Sequence, residues 1–236
     1  MNNNETDICR DLEKLLHVDN AAAALGIRVA FSASWGKAVE ELSGEPLRGE
    51  EEALMNYLRS RYRLEELKDD PIVRAYRDFY WRIGIDPTKT RPSSEALVRR
   101  ALRGSWPRIN PVVDAGNIAS AKFMVPVGLY DLDSFVPPAR IVLARGDEVF
   151  EPIGGRKETV RENAPIMIDK RGVVMHLYPH RDSRITMIRN STRRILIVAA
   201  GVPRVNTERL VATVEEVKRL LGRLGWQSCK ETIVKP

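Results

Sequence analysis

The feature that most constrains the fold is a series of short apolar runs in the second half of the chain. Each run has three to five residues, a length typical of strands and too short for helices. The runs occupy 141–144, 148–150, 166–168, 172–175 and 195–199. Turn-forming sequences lie between them at 145–147, 154–155 and 170–172. This pattern predicts a sheet that fills the second half.

The first half and the C-terminus instead repeat apolar residues at helical spacing. Helices are predicted over 50–62, 71–83, 93–103, 112–123 and 207–224. Ser93 or Ser94 is expected to cap the third of them. A short alternating run at 27–31 predicts an edge strand. The predicted fold class is therefore α/β (α+β), with a mixed central sheet flanked by helices and a helical N-terminal extension.

Charge is distributed unevenly along the 236 residues. Residues 1–70 carry 9 Lys/Arg against 15 Asp/Glu, whereas residues 71–236 carry 29 against 17. Arg accounts for 28 of the 38 basic residues, and its flat guanidinium suits phosphate and bases. The basic residues of 74–108 therefore predict a nucleic-acid surface, although an Arg-rich genome and a solvated helix face explain them equally well.

Several classes of protein are excluded or disfavoured. No apolar run approaches the ~20 residues that cross a membrane, and the polar start lacks a secretory signal. A cytoplasmic location is expected, with Cys9 and Cys229 as free thiols. No His, Cys and Asp spacing suits zinc, so neither a metal nor a cofactor is predicted.

The segment 178–186 is a dense polar cluster. His180 is a candidate base and Arg181 a candidate oxyanion partner, with Asp182 and Ser183 beside them as further catalytic candidates. The alternative is a surface turn in which Asp182 caps the following residues. Sequence spacing does not separate these two interpretations.

Three sequence blocks occur in a fixed order. They are RPSSEALVRR at 91–100, PRINPVVDAGN at 107–117 and PVGLYDLD at 126–133. Together with Gly154-Gly155 and the 181–186 segment, they resemble the tRNA-binding B3/B4 domain of the phenylalanyl-tRNA synthetase beta subunit over residues 75–205. The resemblance implies a B3/B4-like α/β domain at 71–236, with residues 1–70 an acidic, mostly helical part packed on it in one compact unit.

In that synthetase the domain carries an editing site that hydrolyses tyrosine mischarged onto tRNA. The resemblance therefore implies a pocket for an amino-acid moiety and a surface for the acceptor end of tRNA. Its expected substrate-binding residues are Asn117, Gly128, Tyr130, His176, Arg181 and Thr186. The expected RNA-binding residues are Arg91, Arg99, Arg100, Arg103 and Arg108.

The sequence departs from the family pattern at two places, so specificity for tyrosine is not expected of this chain. The histidine of the bacterial block falls at Gly128, and HLYPH at 176–180 replaces a Gly-rich stretch. The favoured function is hydrolysis of misacylated aminoacyl-tRNA by a stand-alone domain that is not a complete synthetase. The alternatives are a non-catalytic tRNA-binding module and a pocket for an amino-acid-like small molecule.

Overall fold

A computed structural model describes residues 8–236 and confirms the α/β class. The helices are α1 (Asn20–Ala23), α2 (Arg48–Arg61), α3 (Pro71–Arg82), α4 (Ser93–Leu102), α5 (Pro111–Phe123) and α6 (Thr207–Arg223). The first six strands are β1 (Leu16–Val18), β2 (Arg28–Trp35), β3 (Val127–Asp131), β4 (Ala139–Leu143), β5 (Val149–Phe150) and β6 (Glu158–Thr159). The others are β7 (Pro165–Ile168), β8 (Val174–Leu177), β9 (Arg181–Asp182), β10 (Arg194–Gly201), β11 (Gln227–Ser228) and β12 (Ile233–Lys235).

The strands form two main sheets. One has the order β11-β2-β10-β3, with β12 also paired to β2, and all its pairs are antiparallel. The other has the order β1-β4-β7-β8-β9 and is mixed, because β1 runs parallel to β4. β5 and β6 form a separate hairpin. The first 70 residues thus supply one strand to each main sheet.

β2 is an interior strand, so the expectation of an edge strand at 27–31 is wrong. β10 pairs along one side of β2, and β11 and β12 pair along the other. The buried hydroxyls of Ser32 and Ser34 bond the Glu231 carbonyl and the Ser228 hydroxyl. The partners of these serines lie about 200 residues further along the chain, so the local pattern at 27–31 does not reveal the second neighbour of β2.

The helix ends follow local chemistry. The Asp70 carboxylate accepts from the amides of Ile72 and Val73, and Asn110 caps α5 in the same way. The expected serine cap of α4 is absent, because its N-cap is Pro92 and no side chain accepts there. On α6, one apolar stripe is buried against β2 and β10.

Cys9 and Cys229 form a disulfide with an S–S distance of 2.06 Å, contrary to the expectation of free thiols. Pairing of β11 and β12 with β2 brings the C-terminal segment back beside the N-terminal one. The Cys229 amide also bonds the Ala33 carbonyl. The two cysteines meet because of this long-range pairing, which sequence spacing does not reveal.

No helix within residues 8–236 combines the length and the hydropathy that crossing a membrane requires.

One buried ion cluster ties α3 to α4. The Glu95 side chain is 0% exposed and accepts from Arg77 at 2.7 Å and from Arg99 at 2.7 Å. Burial opposes ionisation of Glu95, but the two guanidinium groups outweigh it and lower the pKa of that carboxyl. Because these charges are buried and neutralise one another, removing one of them would leave the others unpaired in the interior.

We predict that Glu95→Gln lowers the free energy of unfolding by about 3 kcal/mol, because it leaves two guanidinium groups without their carboxylate. Urea unfolding at pH 7 measures the change. Glu65→Gln, at an exposed position, is the matched control and is expected to change stability by less than about 0.5 kcal/mol. Equal effects of the two substitutions would contradict the prediction.

Candidate functional site

A cavity of about 130 Å³ lies between the two main sheets, beside α4 and α5. Apolar side chains, among them Leu97, Ile141 and Met167, form part of its lining. Polar side chains of α4, α5, β3, β8, β9 and the turn between β8 and β9 also line it. Such a mixed, concave lining is typical of a site for a small ligand.

Asp182 is the centre of a polar network in this cavity. Antiparallel pairing of β8 with β9 sets His176 opposite Asp182. His176 Nδ1 lies 2.8 Å from Asp182 Oδ1, and the Tyr130 hydroxyl donates to the same oxygen at 3.0 Å. Because an ionised carboxylate only accepts, Nδ1 of His176 carries the proton. The network holds Asp182 in one orientation and leaves its Oδ2 without a protein donor among residues 8–236.

Gly128 makes room for the Tyr130 hydroxyl. A Cβ atom at residue 128 would lie 2.1 Å from Tyr130 Oη, far closer than any real contact. Tyr130 is buried, and both burial and the neighbouring Asp182 charge raise the pKa of its phenol. Tyr130 therefore stays protonated and acts as a donor to Asp182. The missing side chain at residue 128 is thus a structural requirement of the Tyr130 position.

His180 lines the cavity and carries a ring nitrogen without a hydrogen-bond partner among the described residues. Its Nδ1 atom is buried and has no hydrogen-bond partner within residues 8–236. The ring packs edge-on against buried Tyr80, with 5.6 Å between centroids. Burial, followed by the charges of His176 and Arg181, lowers the pKa of His180 to about 4. At pH 7 the ring is neutral, so one of its nitrogens is an acceptor.

The structure brings six of the predicted site residues to this one cavity. They are Asn117, Gly128, Tyr130, His176, His180 and Asp182. Sequence analysis proposed the first four as substrate-binding residues and the last two as catalytic candidates. Their convergence joins β3, α5 and the β8–β9 turn at a single place.

Three other predicted residues do not line the cavity. The Arg181 side chain pairs with Glu158 at 2.7 Å and lies over the Phe150 ring. Side chains alternate along a strand, so Arg181 and Ser183 face away from Asp182. Buried Ser183 accepts from the Ile185 amide. Thr186 is buried, and its backbone carbonyl accepts from Asp131.

Two further cavities adjoin the first. One, of about 300 Å³, shares Tyr178 and His180 with it and also contains Arg181. The other, of about 200 Å³, shares Asn117 and Asp182. Two exposed isoleucines, Ile109 and Ile153, line the second of these. The central cavity therefore has a neighbouring recess on each side.

The predicted RNA-binding arginines divide into two sets. Arg91, Arg100 and Arg103 are exposed, and none forms an ion pair with residues 8–236. Arg99 is 14% exposed and is held by Glu95, while Arg108 is paired with Glu51 at 2.9 Å. Neutralisation by these carboxylates makes the second set less available to phosphate.

The sequence pattern did not indicate that Ser93 and Tyr80 belong to this site. Ser93 and Tyr178 line the cavity, and Tyr80 supports His180 from α3. Ser93 was assigned only a capping role. Tyr80 lies in the helix predicted over 71–83, among its apolar residues and within the basic 74–108 region.

Residues 8–236 contain no cluster of three or more His, Cys, Asp or Glu side chains arranged to hold a metal ion.

The model of a family described as B3/4 domain matches residues 75–219 of the chain. The match extends beyond the expected 75–205 and covers more than half of the chain. No curated protein matches the sequence.

Among solved structures, the fold is similar to an N-terminal fragment of the phenylalanyl-tRNA synthetase beta-subunit from Pyrococcus horikoshii. The TM-score is 0.52 at 14% identity, over 94% of this chain and 54% of that one. The chain thus spans about half the length of the fragment. At 14% sequence identity, this similarity shows a shared fold and nothing more.

We predict that the His180 imidazole titrates near pH 4 rather than near 6.5. Because the pKa of His180 is lower in the folded chain than in the unfolded one, the unfolded chain takes up the proton first as the pH falls. The free energy of unfolding therefore decreases from about pH 6.5 down to about pH 4. Imidazole NMR spectra at successive pH values measure the midpoint, with His180→Gln to assign the signal. A midpoint close to the ordinary histidine value of 6.5 would contradict the prediction.

Proposed function

This chain belongs to the B3/4 domain family, and from that premise we propose that it hydrolyses the ester bond of an aminoacyl-tRNA. The observation that carries the proposal is the cavity in which a fixed carboxylate, Asp182, and an unpartnered neutral imidazole, His180, occur together. A buried acceptor without a partner needs a ligand or a water to bond with. A hydrolytic water bound to His180 would meet that need.

In the proposed reaction, a water donates a hydrogen bond to the acceptor nitrogen of the neutral His180 ring, and its oxygen attacks the ester carbonyl carbon. The carbon–oxygen bond to the ribose then breaks. The water proton passes through His180 to the ribose oxygen, which leaves free amino acid and tRNA. Because a base with a pKa of about 4 is weak, most of the acceleration would come from holding water and ester together.

Asn117 is the proposed donor to the developing oxyanion. It lies on α5 and lines both the central cavity and the recess that contains Ile109. Its amide group supplies two N–H donors, and no other residue of 8–236 is bonded to it. A donor aimed at the carbonyl oxygen stabilises the charge that forms there during attack.

Exposed arginines of α4 are the proposed contacts to the acceptor end of tRNA. Arg100 lies one helical turn beyond Leu97, which lines the cavity. Arg91 lies two residues before the start of α4, and Arg103 is the residue at its C-cap. Phosphates held by these side chains would place the end of the strand near the cavity mouth.

We predict hydrolysis of at least one aminoacyl-tRNA and a loss of about 10- to 100-fold in kcat/KM for His180→Gln, because glutamine cannot carry the water proton. Deacylation of a panel of labelled aminoacyl-tRNAs measures it. His17→Gln, at an exposed residue of β1, is the matched control. Turnover at background for every aminoacyl-tRNA would reject the hydrolase, and binding without turnover would leave a tRNA-binding module.

We predict that Arg100→Glu with Arg103→Glu weakens tRNA binding at least tenfold and makes it less dependent on salt, because phosphate contacts release counterions. Filter binding at several salt concentrations measures both effects. Lys37→Glu with Lys230→Glu makes the same charge change at exposed positions next to β2 and β11. Equal losses in the two double variants would show that only net charge matters.

A further inference from the structure

Three packed rings form one wall of the central cavity. His176 meets Tyr130 edge-on at 6.2 Å between centroids and meets Tyr178 at 5.9 Å. Each ring is also anchored by a hydrogen bond. Tyr130 and His176 bond Asp182, and the Tyr178 hydroxyl donates to the Gly201 carbonyl at 2.6 Å. Rotation of any ring out of the wall would break a bond in a buried place.

The space that remains beside this wall is small. A volume of about 130 Å³ is slightly less than the roughly 150 Å³ of a cavity that binds one benzene molecule. An aminoacyl group with one or two side-chain atoms is of this size. A benzyl or phenol side chain has six ring carbons, as many as benzene, so the central cavity cannot hold it together with the amino and ester groups.

The same cavity offers acceptors for a positive group. Asp182 Oδ1 already accepts from Tyr130 and His176, whereas Oδ2 has no donor among residues 8–236. The Asp182 side chain is 32% exposed, so a ligand can reach it. A carboxylate with a free oxygen next to a neutral imidazole favours an ammonium group.

We propose that this pocket selects aminoacyl groups with a small side chain and a free α-ammonium group, such as alanyl, seryl and glycyl, and that Tyr130 excludes aromatic ones. The inference rests on the proposed hydrolase function. Tyr130 acts as a specificity-determining residue because Gly128 lets its hydroxyl reach Asp182. The ammonium group binds Asp182, and the side chain lies against Leu97 and Met167.

Steady-state hydrolysis of alanyl-, seryl-, phenylalanyl- and tyrosyl-tRNA by the full chain tests the side-chain preference. We expect kcat/KM for the small aminoacyl groups to exceed that for the aromatic ones at least about tenfold. In Tyr130→Ala the ratio is expected to fall several-fold, because the ring no longer fills the cavity. Tyr57→Ala, at a 45% exposed tyrosine of α2, is the matched control and keeps the ratio.

Acetylation of the amino group tests the ammonium contact. N-acetyl-alanyl-tRNA is expected to be hydrolysed at least about tenfold more slowly than alanyl-tRNA, because the amide has no charge to pair with Asp182. Asp182→Asn is expected to reduce this difference. Equal rates for the two substrates in the wild-type chain would overturn this contact.

The outcomes separate the inference from the function on which it rests. Equal hydrolysis of alanyl- and tyrosyl-tRNA overturns the proposed selectivity but still supports the hydrolase function. The wild-type chain alone decides this point, so the result does not depend on whether Tyr130→Ala folds. If no substrate is hydrolysed, the hydrolase is rejected. In that case, the selectivity of the cavity is tested by the melting temperature of the protein with 3′-alanylamino- or 3′-phenylalanylamino-3′-deoxyadenosine, which are non-hydrolysable analogues of the aminoacylated end of tRNA. A rise with the alanyl compound alone supports it, and equal rises or none overturn it.

Discussion

The structure depends on β10, a buried strand whose polar backbone groups have to be paired on both sides. It pairs with β2 from the first part of the chain and with β3 from the family-matched region. The register that joins Val198 to Gly128 and Leu196 to Tyr130 places these two β3 residues at the cavity. The same strand therefore fixes both the hydrophobic core and one wall of the site.

The site itself is held by a carboxylate that links the two main sheets. Asp182 and His176 belong to the mixed sheet, whereas Tyr130 belongs to the antiparallel one. Because a partly buried carboxylate is costly without donors, the hydrogen bonds to Asp182 favour one relative position of the strands that carry them. The hydrogen bonds that make the cavity polar therefore also help to hold the two sheets together.

Arginine serves two purposes in this chain, which its abundance alone does not distinguish. Arg77 and Arg99 neutralise a buried carboxylate and join α3 to α4. Arg91, Arg100 and Arg103 point to solvent without a carboxylate partner among residues 8–236. The first set contributes to stability, and the second leaves positive charge available for an anionic partner. On α4, the neighbouring residues Arg99 and Arg100 belong to different sets because their side chains occupy different faces of the helix.

Sequence alone determined the helices, the strand-rich second half and the family blocks, because helical periodicity and contiguous motifs are local. It also placed Asn117, Tyr130, His176, His180 and Asp182 among the site candidates. Tertiary structure decided that β2 lies inside its sheet, that Cys9 meets Cys229, and that Arg181, Ser183 and Thr186 lie outside the cavity. It also decided that Gly128 accommodates the Tyr130 hydroxyl. These properties depend on strand register and on contacts between distant segments, for which a linear pattern contains no signal.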